Sequence, residues 1–285
     1  MAFCFDVFIN VQLAEKLSSV KKKQMLGAFT LWFGWYGFNA GSALAIPTSN
    51  AERVLPLSGV NTTLAGGAAG IVSLFGHYWI LERTTGEAYF DLKYLMYGSL
   101  GGLVSSTASC GIVEPWAAVL IGGIGGLVYN FGSWALIKMR LDDAVDAIPV
   151  HMFNGMWGLI AVGLFASPAR LMDAYGHNKH VGWFYSFNHG GSDATLLACQ
   201  FIGILCIFGW IMFTMFPFFI WLDFKGWFRS DPLDEIVGLD TSYHGGCVLG
   251  HVSYDAQAIQ AMLVDDKKDD DNVDNQSLEF DERES

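Results

Sequence analysis

The chain has 285 residues, of which 52% are hydrophobic and only 15% charged, and it contains 33 glycines, 10 tryptophans and 22 phenylalanines. A soluble domain carries about 25% charged residues and interrupts its apolar runs every few positions, so this composition excludes an ordinary soluble fold and indicates a membrane protein. The net charge is −12, of which −7 comes from ten acids and three bases in residues 264–285; this acidic balance argues against nucleic acid as a partner.

The chain begins with a segment, residues 1–24, that is typical of neither a signal peptide nor a membrane span. Asp6 and Asn10 interrupt its apolar residues, and its lysines follow the apolar stretch rather than precede it. We therefore expect residues 1–24 to form a cytoplasmic or interfacial segment.

Six stretches that follow are long and apolar enough to cross a bilayer, which requires about 20 mainly apolar residues. They are residues 25–46, 60–81, 94–113, 115–139, 143–167 and 194–222. Their uninterrupted apolar character does not match the short alternating segments of a β-barrel. The prediction is an all-α integral membrane fold with six transmembrane helices, in a domain covering residues 25–222.

The orientation of these helices is predicted from lysine and arginine. Counted on alternate sides, ten basic residues fall on one side and three on the other, Arg53, Arg170 and Lys179. Both termini are therefore expected in the cytoplasm. Residues 223–263 then form a cytoplasmic tail, and residues 264–285 an acidic segment whose charge repulsion favours disorder.

Glycines spaced four residues apart recur in four of the predicted helices. Such spacing leaves a bare strip on one face, where a neighbouring backbone can approach closely, although glycine-rich apolar helices also produce these spacings by chance. We interpret the set as packing surfaces: Gly37/Gly41, Gly66/Gly70, Gly98/Gly102 and Gly122/Gly126.

His151 is the most informative polar residue within a predicted span. A neutral imidazole accepts or donates a hydrogen bond and exchanges a proton near neutral pH, which suits a pathway for a small protonated solute. The alternative is a histidine that binds a carbonyl and joins two helices. Asp142, Asp143 and Asp146 precede it, and their position favours capping of the helix start over metal binding.

The first span places bulky aromatic residues beside glycine, asparagine and serine. A phenylalanine such as Phe38 can block a narrow passage by dewetting, an aromatic face attracts a desolvated cation, and Ser42, one turn further on, can offer a hydroxyl oxygen. Such aromatic residues also commonly face lipid or pack against neighbours.

The five scattered cysteines contain no CxxC pair, and we predict neither a metal site nor a cofactor.

Five ordered blocks of sequence resemble the ammonium transporters of the Amt/Mep/Rh superfamily, with the Amt branch the most similar. The blocks are WFGWYGFNAGSA at 32–43, VNTTLA at 60–65, ASCGIVEPWAA at 108–118, the run from Asp142 through His151 to Gly158, and GLDTSYHG at 238–245. They cover about residues 25–246 in a consistent order.

The resemblance implies a homotrimer of eleven-helix protomers, each with its own narrow hydrophobic pore for ammonium. By position in the motifs, Phe38 resembles the inner of two gate phenylalanines, Trp35 a pore-lining aromatic, Ser42 the vestibule serine, and His151 the second of two pore histidines. Residues 238–245 resemble the cytoplasmic motif through which subunits communicate.

The resemblance also implies that the six predicted helices correspond to the second inverted repeat plus the last helix, so that the first five helices of the family are absent. Those five helices supply the first pore histidine, and we interpret His77 as a packing or interfacial residue rather than its replacement.

Three functions follow as hypotheses. The first is ammonium transport, by a truncated or split transporter. The second is a non-conducting regulator or ammonium sensor that associates with full-length subunits. The third, an intramembrane enzyme using His151 with an aspartate, is disfavoured because Asp146 and His151 point to different faces of a regular helix.

Overall fold

The computed structural model describes residues 2–42, 50–86, 88–143, 145–187, 191–230 and 234, with side chains described from Lys22 onward. These residues contain helices and no strands. In chain order the helices are α1 (Ala2–Ser42), α2 (Ala51–Thr85), α3 (Leu92–Thr107), α4 (Pro115–Lys138), a π-helical turn (Ile148–Phe153) continuing into α5 (Asn154–Phe165), α6 (Pro168–Tyr175), α7 (Trp183–Ser186) and α8 (Thr195–Phe224).

Four helical segments in the described part of the chain are long and apolar enough to cross a membrane by length and composition. They are Ala51–Thr85, Pro115–Lys138, Ile148–Phe165 and Thr195–Phe224. Helix α3 has 16 residues, and at 1.5 Å per residue it extends about 24 Å, less than the roughly 30 Å of a hydrocarbon core.

The helix boundaries differ from the predicted spans where local interactions intervene. The segment predicted at 94–113 ends as a helix at Thr107 and continues in turns. The one predicted to begin at 143 begins at Ile148, because Asp146 has a positive φ of 51°, which an α-helix cannot accommodate. Helix α1 begins at Ala2 and continues through the predicted interfacial segment into the first predicted span.

Helices α2, α3 and α4 pack closely through glycine. A Cβ atom built on Gly122 of α4 would lie 2.5 Å from the Cα of Ala65 in α2, and one on Gly126 would lie 3.1 Å from the backbone nitrogen of Ser73. On α3, a Cβ at Gly102 would lie 2.5 Å from the carbonyl oxygen of Ala65. Because a side chain would overlap backbone at these positions, the packing role predicted for the glycine pairs of α2, α3 and α4 is confirmed.

The same prediction was wrong for Gly37 and Gly41 of α1. A Cβ at either position would meet none of the described residues within 4 Å. That strip of α1 faces away from α2 and α3, and the helix is held instead by polar contacts described below.

Hydrogen bonds between side chains and neighbouring helices supplement this packing. The hydroxyl of Ser73 donates to Asn130 Oδ1 at 2.6 Å, and Asn130 Nδ2 donates back to the carbonyl oxygen of Ser73 at 2.9 Å, joining α2 to α4. The indole nitrogen of Trp157 in α5 donates to the carbonyl oxygen of Ile121 in α4. Such bonds stabilise the association of helices in a membrane, where moving apolar side chains from lipid to a helix contact contributes little free energy.

Ion pairs join the loops at one end of these helices. Arg170 of α6 donates to both carboxylate oxygens of Glu114, at 3.0 and 3.1 Å, and the hydroxyl of Ser167 donates to the same carboxylate. Hydrogen bonding to Glu114 raises the pKa of Arg170. Arg53, at the start of α2, pairs with Asp173 at 3.4 Å. These contacts fix the starts of α4 and α2 against α6.

The start of α8 is capped by Asp193. Its carboxylate accepts from the backbone N–H of Thr195 at 2.9 Å and lies 3.0 Å from His180 Nδ1. Hydrogen bonds from Thr195, followed by the contact with His180, lower the pKa of Asp193 to about 2. Residues 211–230, taken alone, contain aromatic contacts such as Phe219 with Phe228, whose ring centroids are 5.5 Å apart.

The close approach of α4 to α2 predicts different effects for adjacent glycines. Gly122→Ala should destabilise the protein by about 1–3 kcal/mol, because the added methyl group overlaps the backbone of Ala65. Gly123→Ala is the matched control: its methyl group would meet only Val72 Cγ2 at 3.7 Å, and helix propensity then favours alanine by up to about 1 kcal/mol. Thermal unfolding in detergent measures both; equal melting temperatures for the two variants would contradict the packing.

Candidate functional site

The π-helical turn around His151 begins at a capped helix start. The backbone N–H groups of Ala147 and Ile148 donate to the two carboxylate oxygens of Asp143, each at 2.8 Å. A carboxylate at this position satisfies amides that have no partner within the helix and interacts favourably with the positive end of the helix dipole. The helix-start role predicted from sequence is confirmed for Asp143.

The side chain of Asp146 has a different role from the predicted cap, so the prediction for this residue was wrong. Its buried carboxylate lies 2.7 Å from Lys93 Nζ on α3, and it accepts hydrogen bonds from Tyr129 Oη at 2.9 Å and Ser133 Oγ at 3.2 Å on α4. This group therefore ties the entrance of the π-helical turn to two neighbouring helices. Lys93 precedes Asp146 by 53 residues, and no local pattern in the sequence indicates the pair.

The π-helical turn widens the helix at Pro149, which has no N–H to donate to the preceding turn. Asn154 Nδ2 donates to the carbonyl oxygen of Pro149 at 2.9 Å, so a side chain provides this carbonyl group with a hydrogen bond. Asn154 is fully buried. The amide of Asn154 packs against glycines of α3 and α4. A Cβ atom built on Gly101 of α3 would lie 2.7 Å from Asn154 Nδ2, and one built on Gly125 of α4 would lie 2.9 Å from Asn154 Oδ1.

This packing separates the turn into a buried and an exposed side. Pro149, Val150 and Asn154 are buried, whereas His151 and Met152 are exposed. The imidazole of His151 forms no hydrogen bond or ion pair with any part of the chain that the structure describes. Among these residues it does not join two helices, which was the alternative interpretation. The carboxylate of Asp146 is engaged elsewhere, so these two side chains do not form a catalytic pair.

The aromatic residues predicted on the first span lie on α1. Phe38 is 58% exposed, and its ring meets that of Trp35 edge to face, with centroids 6.3 Å apart. Trp35 is partly buried, and its indole nitrogen donates to Thr107 Oγ1 at 2.9 Å. Ser42 is exposed at the last residue of α1. The structure thus brings Trp35 and Phe38 together, while His151 lies on a separate helix.

Helix α3 connects the two sets of predicted residues. Thr107 binds Trp35 of α1, and Gly101 contacts Asn154 beside the π-helical turn. Six residues separate these two points, which corresponds to about 9 Å along a helix axis. His77, predicted to be a packing or interfacial residue, stacks on Tyr94 of α3 with ring centroids 3.5 Å apart, as expected for a packing residue.

Metal binding has no support in the described ranges, where no three His, Cys, Asp or Glu side chains come together. The predicted tail motif at 238–245 and the acidic segment at 264–285 lie outside the described residues, as does the end of the first predicted span after Ser42.

Comparison with known proteins identifies the family. The model of the Ammonium Transporter Family matches residues 15–248. The chain belongs to this family. The family predicted from the five sequence blocks is confirmed, and the protein is an integral membrane protein of the ammonium transporter family, helical in the part of the chain that the structure describes.

Similar proteins extend well beyond this chain in length. Ammonium transporter 3 of Dictyostelium discoideum is 40% identical over 227 residues, which cover 78% of this chain and 48% of that protein. Ammonium transporter Amt2 of Archaeoglobus fulgidus is 39% identical over 220 residues, covering 77% and 44%. The chain therefore spans about half the length of the curated relatives it matches.

Solved structures give the same result for the fold of this family member. The structure titled Sensor Amt Protein matches with a TM-score of 0.60 and 30% identity, over 77% of this chain and 48% of that chain. Saccharomyces cerevisiae Mep2 matches with a TM-score of 0.53 and 28% identity, over 64% of this chain and 40% of that chain.

The ion pair beside the π-helical turn predicts a loss of stability when one partner is removed. In Asp146→Asn, asparagine tolerates the positive φ of this position, but Lys93 loses the carboxylate with which it pairs. Because the Lys93 side chain is 40% exposed, we expect the free energy of unfolding to fall by about 2 kcal/mol, less than for a fully buried charge. Thermal unfolding in detergent measures this cost.

A double-mutant cycle separates the ion pair from other effects. Adding Lys93→Met to Asp146→Asn should recover part of the lost stability, since no unpaired charge then remains. Arg53→Gln, which removes only the more exposed pair with Asp173, serves as the control and should cost less than about 1 kcal/mol. Strictly additive effects of the Asp146 and Lys93 substitutions would contradict the interaction.

Proposed function

We propose that this chain forms one side of a narrow hydrophobic pathway for ammonium across the membrane, with His151 facing that pathway. The observation that carries the proposal is the π-helical turn, which buries Pro149, Val150 and Asn154 and leaves the imidazole of His151 exposed without a partner in the described residues. An imidazole within a membrane-spanning segment is costly unless it meets a partner or a polar pathway.

The chemistry of ammonium passage suits such an imidazole. In its neutral form the ring has one donor and one acceptor, so it can bind ammonia or an ammonium ion by hydrogen bonding and can take up or release a proton near neutral pH. The narrow hydrophobic surroundings penalise ions that remain hydrated. This combination favours a small solute that exists both as a cation and as a neutral base.

The aromatic residues of α1 complete the proposed pathway. We infer that Phe38 acts as a gate, because its ring is exposed and is supported edge-on by Trp35. Trp35 then lines the pathway beside the gate. Ser42 follows Phe38 by one turn, where its hydroxyl oxygen can bind an entering cation that loses its water.

We further infer the arrangement in the membrane. The chain contributes six spans, equivalent to the second inverted repeat and the last helix of the family, and the plasma membrane holds it with both termini in the cytoplasm. The basic residues support this orientation: Lys93, Lys138 and Arg140 lie at the cytoplasmic helix ends, and Arg53 and Arg170 at the outer ends. Other helices must supply the opposite side of the pathway, and the proposed assembly is a homotrimer or an association with full-length relatives.

A second candidate function is a non-conducting regulator or ammonium sensor that binds full-length subunits. The observation that favours it is the similarity to the structure titled Sensor Amt Protein, which is 30% identical over 77% of this chain. A pathway formed between two repeats requires both of them. A chain that supplies one repeat can still pair with an intact relative and alter its transport.

Uptake of labelled methylammonium tests these functions in cells that lack their own ammonium transporters. An increase in uptake supports ammonium transport, whether the chain is expressed alone or together with a separate segment that carries the other helices. The regulator is supported when the chain shows no uptake but co-purifies with an intact relative and changes the uptake by that relative. Absence of both results would refute both functions.

The role of His151 predicts a specific loss in any assembly that transports. His151→Ala should lower methylammonium uptake several-fold, because the pathway loses its hydrogen-bonding and proton-exchanging group. Surface abundance and assembly should stay near those of the unsubstituted chain, since the side chain is exposed. His177→Ala, an exposed histidine after α6, is the control. Uptake unchanged by His151→Ala would remove the residue from the pathway.

The gate role of Phe38 predicts altered selectivity. Phe38→Ala should raise the transport of potassium or methylammonium relative to ammonium, because a smaller side chain permits water and larger ions to enter. Phe33→Ala removes another exposed phenylalanine from α1, 79% exposed, and should leave the ratio unchanged. Identical ion ratios for the two variants would contradict a gate at Phe38.

A further inference from the structure

The indole of Trp35 is held by a hydrogen-bond relay with a defined direction. Trp35 Nε1 donates to Thr107 Oγ1 at 2.9 Å, and Thr107 Oγ1 donates to the carbonyl oxygen of Leu103 at 2.7 Å. A hydroxyl has one hydrogen, and here the backbone carbonyl one turn earlier receives it. The oxygen lone pairs of Thr107 therefore point outward from α3 as an acceptor for the indole.

We propose that Thr107 is a positioning residue that sets the orientation of Trp35 and, through it, the presentation of Phe38. The edge-to-face contact between the two rings, at 68° and 6.3 Å, depends on the plane in which the indole is held. The consequence for ion selectivity rests on the proposed function, in which Phe38 is the gate.

The acceptor itself is fixed in space. Thr107 is the last residue of α3, and the turns that follow are held by Asn61 of α2. Asn61 Nδ2 donates to the carbonyl oxygens of Cys110 at 2.7 Å and Val113 at 2.9 Å, and its side chain is fully buried. Because these bonds constrain the segment after Thr107, its hydroxyl provides a rigid reference for α1.

A second relay limits rotation of α1. Asn39 Nδ2 donates to Thr62 Oγ1 at 2.8 Å, and that hydroxyl donates to the carbonyl oxygen of Ser58 at 2.7 Å. Trp35 and Asn39 are four residues apart and share one face of α1. With one residue bound to α3 and the other to α2, the helix holds the neighbouring Phe38 on its exposed side.

The test uses the full chain in detergent or lipid nanodiscs and reads the indole N–H of Trp35 by nuclear magnetic resonance. Isotope labelling of tryptophan gives one indole signal per residue, and the signal that disappears in Trp35→Phe identifies Trp35. The nine other indole signals report whether each variant remains folded.

Thr107→Val keeps the shape of the side chain and removes the acceptor. We expect the Trp35 indole proton to exchange with water about fivefold faster, as for the loss of one ordinary hydrogen bond. Thr107→Ser retains the hydroxyl and should retain the protection. Thr63→Val is the matched control, because Thr63 Oγ1 likewise donates to a carbonyl one turn back, that of Gly59, and contacts an α1 aromatic, Tyr36 Oη at 2.9 Å.

The results separate the proposal from the proposed function. Exchange in Thr107→Val equal to that in the unsubstituted chain would overturn the positioning role, whether or not the chain transports. In an assembly that transports ammonium, Thr107→Val should raise the ratio of potassium to ammonium uptake, and Thr107→Ser and Thr63→Val should not. An altered indole with an unaltered ratio would overturn the link to selectivity. Absence of transport by every assembly would refute the proposed function and leave the exchange result to decide the positioning role.

Discussion

The close approach of α2 and α4 is the constraint on which the rest of the structure depends. In a bilayer, apolar side chains gain little by leaving lipid for a neighbouring helix, so helices associate through dense contacts and hydrogen bonds. Gly122 and Gly126 allow the backbone of α4 to approach Ala65 and Ala69 of α2, and no larger residue fits between them. Helix α3 then packs against both, and its two ends carry the contacts that position Trp35 and the π-helical turn.

A second constraint is that backbone polar groups must find partners where water is scarce. Side chains satisfy backbone groups at the turn 148–153: Asp143 accepts two amides that the helix start leaves free, and Asn154 donates to the carbonyl oxygen of Pro149. The buried carboxylate of Asp146 is satisfied by three groups on α3 and α4. These contacts occupy the buried side of the turn and thereby direct His151 to the other side.

The sequence predicted features that depend on local pattern. Helices within residues 60–81, 115–139 and 194–222 follow from apolar length, the cap at Asp143 from its place before a helix, and three of the four glycine pairs from their spacing. Contacts between distant side chains were not predictable in this way. Trp35 and Thr107 are 72 residues apart, and their meeting depends on how α1 crosses α3, which no local preference encodes. The packing role predicted for Gly37 and Gly41 was wrong for the same reason, because the spacing of glycines shows which face of a helix is bare but not which helix lies against it.

The exposed imidazole of His151 supports the proposed pathway. Buried amides at the helix contacts each form at least one hydrogen bond through the amide nitrogen, as Asn130, Asn39 and Asn61 do, although the amide oxygens of Asn39, Asn61 and Asn154 have no partner among the described residues. His151 is different, because its imidazole has no partner among the described residues and lies on the exposed side of a segment able to cross the membrane. Contact of that ring with lipid would incur a desolvation cost without compensation. A narrow pathway beside His151 removes this cost when the solute in it exchanges hydrogen bonds with the imidazole, and the exposed position of the ring is therefore consistent with the proposed pathway for ammonium.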